Sequence, residues 1–122
     1  MLPSTALKLL AGERPSLGAC ETPWDFLYGA DAAEAIVALL ASKAEGDFNL
    51  GSGQAPSLRS TLEQLRDLID PSLTLGFGER AAVPGQSTHL QADIRRLQAV
   101  TGWAPRTTMA QGLPALLQSL RG

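Results

Sequence analysis

The spacing of the apolar residues limits most strongly what this chain can fold into, because five segments have helical periodicity and only three short segments alternate as strands do. The clearest helical pattern covers 58–69, preceded by the candidate N-cap Ser57 and stopped by Asp70-Pro71. Its apolar stripe consists of Leu58, Leu62, Leu65 and Ile69. The other helices are predicted at 2–11, at 31–43, after Asp93 and after Thr108. The strands are predicted at 24–28, 47–51 and 72–77, which is few for a sheet that must stand alone.

The segment 31–43 is predicted as the most apolar helix. Asp31 followed by Glu34 predicts a capping box at its start, and Gly46 is expected to end it. We expect this helix to bury one face against a sheet, because its alanine-rich flanks permit close packing. The bulky residues of that face are Ile36, Val37 and Leu40.

Cap residues predict the ends of the remaining helices. Ser4 is the expected N-cap of the first helix, and Asp93 is the expected N-cap of the fourth, which Gly102 closes. Thr108 with Gln111 predicts a second capping box at the start of the last helix. Pro114 falls inside that helix, so we expect a distortion there or a later start.

The composition excludes several classes of protein. The 122 residues fit one domain, and 44% hydrophobic with 18% charged residues indicates a packed chain rather than a disordered one. Ten basic and twelve acidic residues form no clustered basic face, so no nucleic-acid partner is expected. The apolar runs are too short to cross a membrane, and no signal peptide is apparent. The single cysteine fits a reducing, cytoplasmic compartment, and with only one histidine no zinc site is predicted.

Motifs for catalysis are absent from the sequence. Tyr28 is the only tyrosine and is followed four residues later by Ala32, which excludes a Tyr-x-x-x-Lys proton relay. The turn 51–53, Gly-Ser-Gly, follows a predicted strand, but Pro56 stands where a dinucleotide-binding loop has its third glycine. We therefore interpret it as a turn that requires positive φ.

Isolated reactive residues carry little functional signal. His89 has Ser87 and Asp93 nearby in sequence, but it is interpreted as a solvated loop histidine rather than part of a triad. Cys20 is interpreted as a small apolar filler, since no basic residue adjoins it in sequence. Asp25 and Asp31 could form a carboxylate pair, but Asp31 is expected to cap a helix. No catalytic residue is predicted.

Four sequence blocks, in this order, resemble one family. They read WDFLYGADAAEAIVALL, GDFNLGSGQAPSL, LQADIRRLQAVTGWAP and TTMAQGL. Their order and spacing resemble the C-terminal part of the extended short-chain dehydrogenases, which are NAD(P)-dependent nucleotide-sugar epimerases, dehydratases and reductases. The resemblance extends over about residues 2–117.

The resemblance implies a fold, and it implies that substrate binding and cofactor binding belong to different parts of the enzyme. It implies a small mixed α/β substrate-domain fragment of an extended Rossmann-type enzyme, with about three short strands and five helices over residues 1–122. The family's N-terminal half, which holds NAD(P) and the Tyr-x-x-x-Lys residues, has no counterpart here. We therefore expect a substrate-binding portion that is not catalytically competent alone and binds no cofactor by itself. The alternative is a truncated, non-catalytic remnant that acts as an oligomerisation or interaction module. The expected partners are a nucleotide sugar, further copies of the chain, or the missing Rossmann half.

The resemblance also implies the substrate contacts. Leu2 and Pro3 match the family segment beside the nucleotide base, whereas Trp24 and Val83 stand where the family has arginines that bind the diphosphate. Two alternatives remain open: Arg80 or Arg14 reaches in from a neighbouring loop, or Trp24 stacks on a base or sugar. Trp24 could equally be a packed aromatic residue. The predicted substrate-binding residues are Leu2, Pro3, Leu17, Trp24, Phe26, Arg80 and Gln86.

Overall fold

The computed structural model describes residues 1–122 and contains five α-helices, as predicted. They are α1 (Leu2–Leu10), α2 (Gly29–Ser42), α3 (Leu58–Ile69), α4 (Arg95–Thr101) and α5 (Met109–Arg121). The three predicted strands are wrong, because the segments 24–28, 47–51 and 72–77 form no strand. None of the helices combines the length and the hydropathy that spanning a membrane requires.

The extended segments pair through single bridges instead of a sheet. One bridge joins Ser16 to Gly76 and another joins Trp24 to Leu90, both parallel. The Trp24 N–H donates to the Pro56 carbonyl at 2.9 Å, whereas the next N–H, of Asp25, donates to the Leu90 carbonyl at 2.8 Å. Each bridge is isolated, so no ladder continues along these segments. Alternating apolar residues are a local pattern and do not supply the continuous partner that a strand needs.

The main core lies between α1, α3 and α5. Ser57 caps α3 as predicted, since its hydroxyl accepts the Ser60 N–H at 3.1 Å. The α3 stripe faces α1 and α5, and Leu62 and Leu65 have no exposed surface. The eight buried residues of this core are Ala6, Leu9, Leu17, Leu58, Leu62, Leu65, Leu113 and Leu117.

A second, smaller core lies between α2 and α4. Its four buried residues are Ala35, Ile94, Leu97 and Trp103. Phe48 packs at its edge, where the Arg96 guanidinium lies 4.7 Å from the centre of the ring. This core shares no buried residue with the main one. The chain therefore folds into two helical groups, each with its own apolar interior.

Helix α2 differs from its prediction at both ends and in its orientation. It begins at Gly29 after Tyr28, so Asp31 lies inside the first turn and forms no capping box with Glu34. It ends at Ser42 because Lys43 adopts a left-handed conformation with φ of 56°, three residues before Gly46.

The face of α2 that was expected to be buried is exposed. The exposed fractions are 51% for Ile36, 65% for Val37 and 76% for Leu40. The opposite face, with Asp31 and Ala35, packs inward instead. A helix that is apolar on both faces is normally covered on both.

Of the predicted N-terminal caps of α1, α4 and α5, only the cap of α5 is confirmed. Ser4 lies within α1, where its hydroxyl donates to the Met1 carbonyl at 2.8 Å, and Met1 is the N-cap. Asp93 lies one residue before the N-cap of α4. The capping box of Thr108 and Gln111 is confirmed. Helix α5 begins directly after it and continues through Pro114, so a later start was wrong.

Candidate functional site

A cavity lies between the start of α1, the segment 26–29 and α5. Its volume is about 400 Å³, within the range of roughly 300–1,000 Å³ typical of small-molecule sites. Most of its wall is apolar, formed among others by Leu2, Pro3, Phe26, Met109 and Leu116. The polar side chains of the wall are those of Tyr28, Thr107, Thr108 and Ser119.

The structure brings three of the seven predicted substrate-binding residues into this cavity, namely Leu2, Pro3 and Phe26. Leu17 belongs to the main core instead, with an exposed fraction of 8%. Trp24 is half-buried and packs against the same core, as a packed aromatic residue does.

The other two predicted residues, Arg80 and Gln86, lie on an exposed segment that covers 78–91. Both ends of this segment are fixed to the chain between 17 and 23. At one end the Arg80 N–H donates to the Leu17 carbonyl at 3.0 Å, and at the other the Leu90 N–H donates to the Pro23 carbonyl at 2.9 Å. The middle of the segment is exposed throughout.

The two arginines that could replace the family's phosphate-binding pair differ in their surroundings. Arg14 forms an ion pair with Glu79. The Arg80 guanidinium takes part in none of the five ion pairs of the structure. Of these two arginines, Arg80 can therefore bind an anionic ligand without first breaking an ion pair within the chain.

Sequence reasoning missed the role of Asp25. Its carboxylate accepts the Ser52 N–H at 2.8 Å, the Gly53 N–H at 3.0 Å and the Ala92 N–H at 3.1 Å, together with the Ser52 hydroxyl. One side chain thus joins three chain segments that no sheet connects. The signal available in the sequence was a carboxylate in an extended segment together with a glycine-containing turn, whose N–H groups need acceptors.

The turn 51–53 does not fit an NAD(P) phosphate. Its Ser52 and Gly53 amides, which such a phosphate would need, are already bound to Asp25. A Cβ atom on Gly51 would lie 2.5 Å from the Cβ of Ala92 and 2.7 Å from Asp25 Oδ2, so the turn is packed on its inner side. Gly53 has φ of 77°, which confirms the interpretation as a turn with positive φ.

Asp31 has a similar role for the segment that leads into α5. Its Oδ2 accepts the Arg106 N–H at 3.1 Å and the Thr107 N–H at 2.8 Å, and only 3% of the residue is exposed. It thereby fixes the chain that enters α5 and forms one wall of the cavity. Asp25 and Asp31 bind different loops and form no carboxylate pair.

The remaining reactive residues form no catalytic group. The Nε2 of His89 contacts Gln91 Oε1 at 2.9 Å, and the Ser87 hydroxyl donates to the His89 carbonyl, so no triad is assembled. Asp93 binds Arg95 instead, and the hydrogen bonds from Arg95 lower the pKa of Asp93 to about 2. Cys20 packs against the main core, where burial raises the pKa of its thiol.

Comparisons with known proteins give partial matches along this chain. No protein-family model matches it. It is 26% identical to dTDP-4-dehydro-6-deoxyglucose reductase of Escherichia coli over 106 residues, which are 86% of this chain and 33% of that protein. It is 29% identical to UDP-glucuronic acid decarboxylase 1 of Arabidopsis thaliana over 96 residues, 79% of this chain and 22% of that protein.

Two solved structures extend these matches to the fold. The structure of RMD from Pseudomonas aeruginosa complexed with NADPH has a TM-score of 0.81 at 25% identity, over all of this chain and 42% of that one. UDP-glucose 4-epimerase of Thermotoga maritima with UDP-glucose has a TM-score of 0.77 at 20% identity, over 98% and 38%. The chain thus spans about a fifth to two fifths of the proteins it matches. The relatives named here are a reductase and a decarboxylase, and the structural neighbours are an NADPH complex and an epimerase with UDP-glucose. The resemblance to the extended short-chain dehydrogenases is confirmed.

Proposed function

We propose that this chain is the nucleotide-sugar-binding portion of an NAD(P)-dependent epimerase, dehydratase or reductase. The observation that carries the proposal is the meeting of Leu2, Pro3 and Phe26 in one cavity, since the family resemblance had assigned them to the substrate from distant parts of the sequence. The relatives supply the ligand class, because each of those named above is an enzyme of nucleotide sugars.

The cavity suits the base of a nucleotide. The Phe26 and Tyr28 rings offer flat apolar surfaces, and the hydroxyl groups of Thr107 and Thr108 can bind the polar edge of a base. Leu2 and Pro3 add to the apolar lining of the same cavity. A nucleotide base is uncharged, so a few hydroxyl groups in a mostly apolar wall are enough to orient it.

The diphosphate would be bound by Arg80 rather than by Trp24. The packing of Trp24 against the main core favours a structural role. The Arg80 guanidinium, in contrast, has no ion-pair partner. Gln86 lies on the same exposed segment and could add a hydrogen bond to the ligand. A guanidinium binds phosphate oxygens through two parallel N–H groups, which no other side chain reproduces.

Turnover would require a second polypeptide part that supplies NAD(P) and the proton relay. This chain has no lysine four residues after its single tyrosine, and its one Gly-Ser-Gly turn is occupied by Asp25. We therefore propose that the chain is inactive alone. Co-expression with a Rossmann-half polypeptide should give cofactor-dependent turnover of a nucleotide sugar, and its absence from a properly docked complex would count against the proposal.

Replacing Phe26 by alanine should weaken nucleotide binding about tenfold, because the ring provides both apolar contact and stacking worth roughly 1–2 kcal/mol. The measurement is a ¹⁵N NMR titration with UDP, dTDP and GDP. We expect the amide signals of Leu2, Phe26 and Tyr28 to shift in the wild-type chain. Phe48→Ala is the matched control, since that ring packs at the second core and lines no part of the cavity. Unchanged spectra with all three nucleotides, or an equal loss in the control, would refute this site.

A second candidate function is an oligomerisation module. The observation in its favour is the exposed apolar face of α2, formed by Ile36, Val37 and Leu40. Exposed apolar patches of this kind commonly mark contact surfaces. A two-fold related copy would present the same face, and the resulting interface would be self-complementary.

We expect the purified chain to sediment as a dimer or larger species at high concentration. Val37→Glu combined with Leu40→Glu should restore the monomer, because two charges would then be buried in the contact. Leu7→Glu combined with Leu68→Glu is the control, since those residues are 52% and 46% exposed on other helices. A strictly monomeric wild-type profile at roughly millimolar concentration would contradict this function.

A further inference from the structure

A second polar cluster lies outside the cavity, around the carboxylate of Glu79. The Ser16 hydroxyl donates to Glu79 Oε2 at 2.6 Å. Nη1 of Arg14 donates to the other oxygen, Oε1. Each oxygen of the carboxylate therefore has its own donor, one of them charged, and charge-assisted hydrogen bonds are stronger than neutral ones.

Gly76 provides the space in which this carboxylate lies. A Cβ atom on Gly76 would overlap Glu79 Oε2 and would lie 2.8 Å from the Pro15 carbonyl. The backbone there is fixed, because the Gly76 N–H donates to the Pro15 carbonyl and the Leu17 N–H donates to the Gly76 carbonyl, both at 2.9 Å. Arg14, Ser16 and Gly76 thus surround the Glu79 carboxylate, and we call these three residues the oxyanion cradle.

The carboxylate in the cradle is accessible to solvent. About half of the Arg14 side chain (52%) and a third of the Glu79 side chain (33%) are exposed, so water and dissolved ions reach the contact. Exposed ion pairs are weak, and a phosphate group offers more charge and more acceptor oxygens than a carboxylate does. The cradle does favour negative charge, since the hydrogen bonds from Ser16 and Arg14 lower the pKa of Glu79.

We propose that Arg14, Ser16 and Gly76 form a binding site for a phosphate group, which the Glu79 carboxylate fills until a ligand displaces it. Glu79 acts as an internal competitor that keeps Arg14 neutralised in the free chain. Its immediate neighbour in sequence is Arg80, so the cradle adjoins the segment that carries the free guanidinium. These residues lie outside the nucleotide cavity, and phosphate binding in the cradle does not require that the cavity be filled.

The test measures the affinity for inorganic pyrophosphate by calorimetry. Glu79→Ala vacates the cradle and should bind pyrophosphate about tenfold more tightly than the wild-type chain, the gain expected from one freed charge-assisted site. Combining Glu79→Ala with Arg14→Ala should abolish the gain. The amide signals of Ser16 and Gly76 should shift during the titration of the single variant.

Glu13→Ala is the matched control, because it removes the same charge next to Arg14 but Glu13 has no side-chain partner. An equal gain in Glu13→Ala, or no gain in Glu79→Ala, would overturn the cradle. Titration with UDP distinguishes the source of the phosphate: equal affinity for UDP and pyrophosphate indicates a free-phosphate site, whereas tighter UDP binding that Phe26→Ala removes indicates a nucleotide. The two proposals can fail separately. If the Glu79→Ala variant binds pyrophosphate but no nucleotide shifts the amide signals of the cavity residues, the proposed function is refuted and the phosphate site in the cradle is supported.

Discussion

Replacing Asp25 by asparagine should lower the free energy of unfolding by about 3 kcal/mol, because an amide NH₂ would then face backbone N–H groups that the carboxylate now accepts. The donors are the amides of Ser52, Gly53 and Ala92, which belong to two loops far apart in the chain. The structure has no β-sheet that could hold these loops together without the Asp25 carboxylate. The free energy is measured by urea unfolding followed by circular dichroism.

Asp47→Asn is the control for this variant. Asp47 is exposed and its side chain has no hydrogen-bond partner, so the same chemical change should alter the free energy by less than about 0.5 kcal/mol. If Asp25→Asn were equally mild, the carboxylate would not be the tie that joins these loops, and the loops would have to be held by their backbone bridges alone.

Replacing Leu62 by alanine should cost about 3 kcal/mol of unfolding free energy. Leu62 has no exposed surface and lies in the main core, so the truncation removes buried apolar area and leaves a cavity. Leu68→Ala on the same helix is the control, because Leu68 is 46% exposed and the helix propensities of leucine and alanine are close. Similar losses at both positions in urea unfolding would contradict the packing of α3 described above.

The helices could be predicted from the sequence because their determinants are local. In α3 the apolar stripe, the Ser57 cap and the Asp70-Pro71 stop lie within one short segment, and the predicted range 58–69 is confirmed. The strand predictions were wrong because a strand also needs a distant partner along its whole length. The alternating pattern at 72–77 is local, but in this segment only Gly76 is bridged, to Ser16.

Burial and the site needed long-range information that no segment contains. Helix α2 is apolar on both faces, so its sequence could not decide whether Val37 or Ala35 points inward. Asp31 was predicted as a cap, but its partners are amides 75 and 76 residues away. The cavity residues Leu2, Pro3 and Phe26 came from the family resemblance. Asp25 and Glu79 were missed because their roles depend on the groups that surround them in space.

The separation of the two apolar interiors also determines how the molecule can be observed while it denatures. Trp24 packs against the α1–α3–α5 group, and Trp103 is buried in the α2–α4 group. Each group therefore contains its own intrinsic fluorophore. Chains that retain a single tryptophan would report on the melting of one helical group at a time, and any difference between the two emission curves would reveal that one group opens before the other.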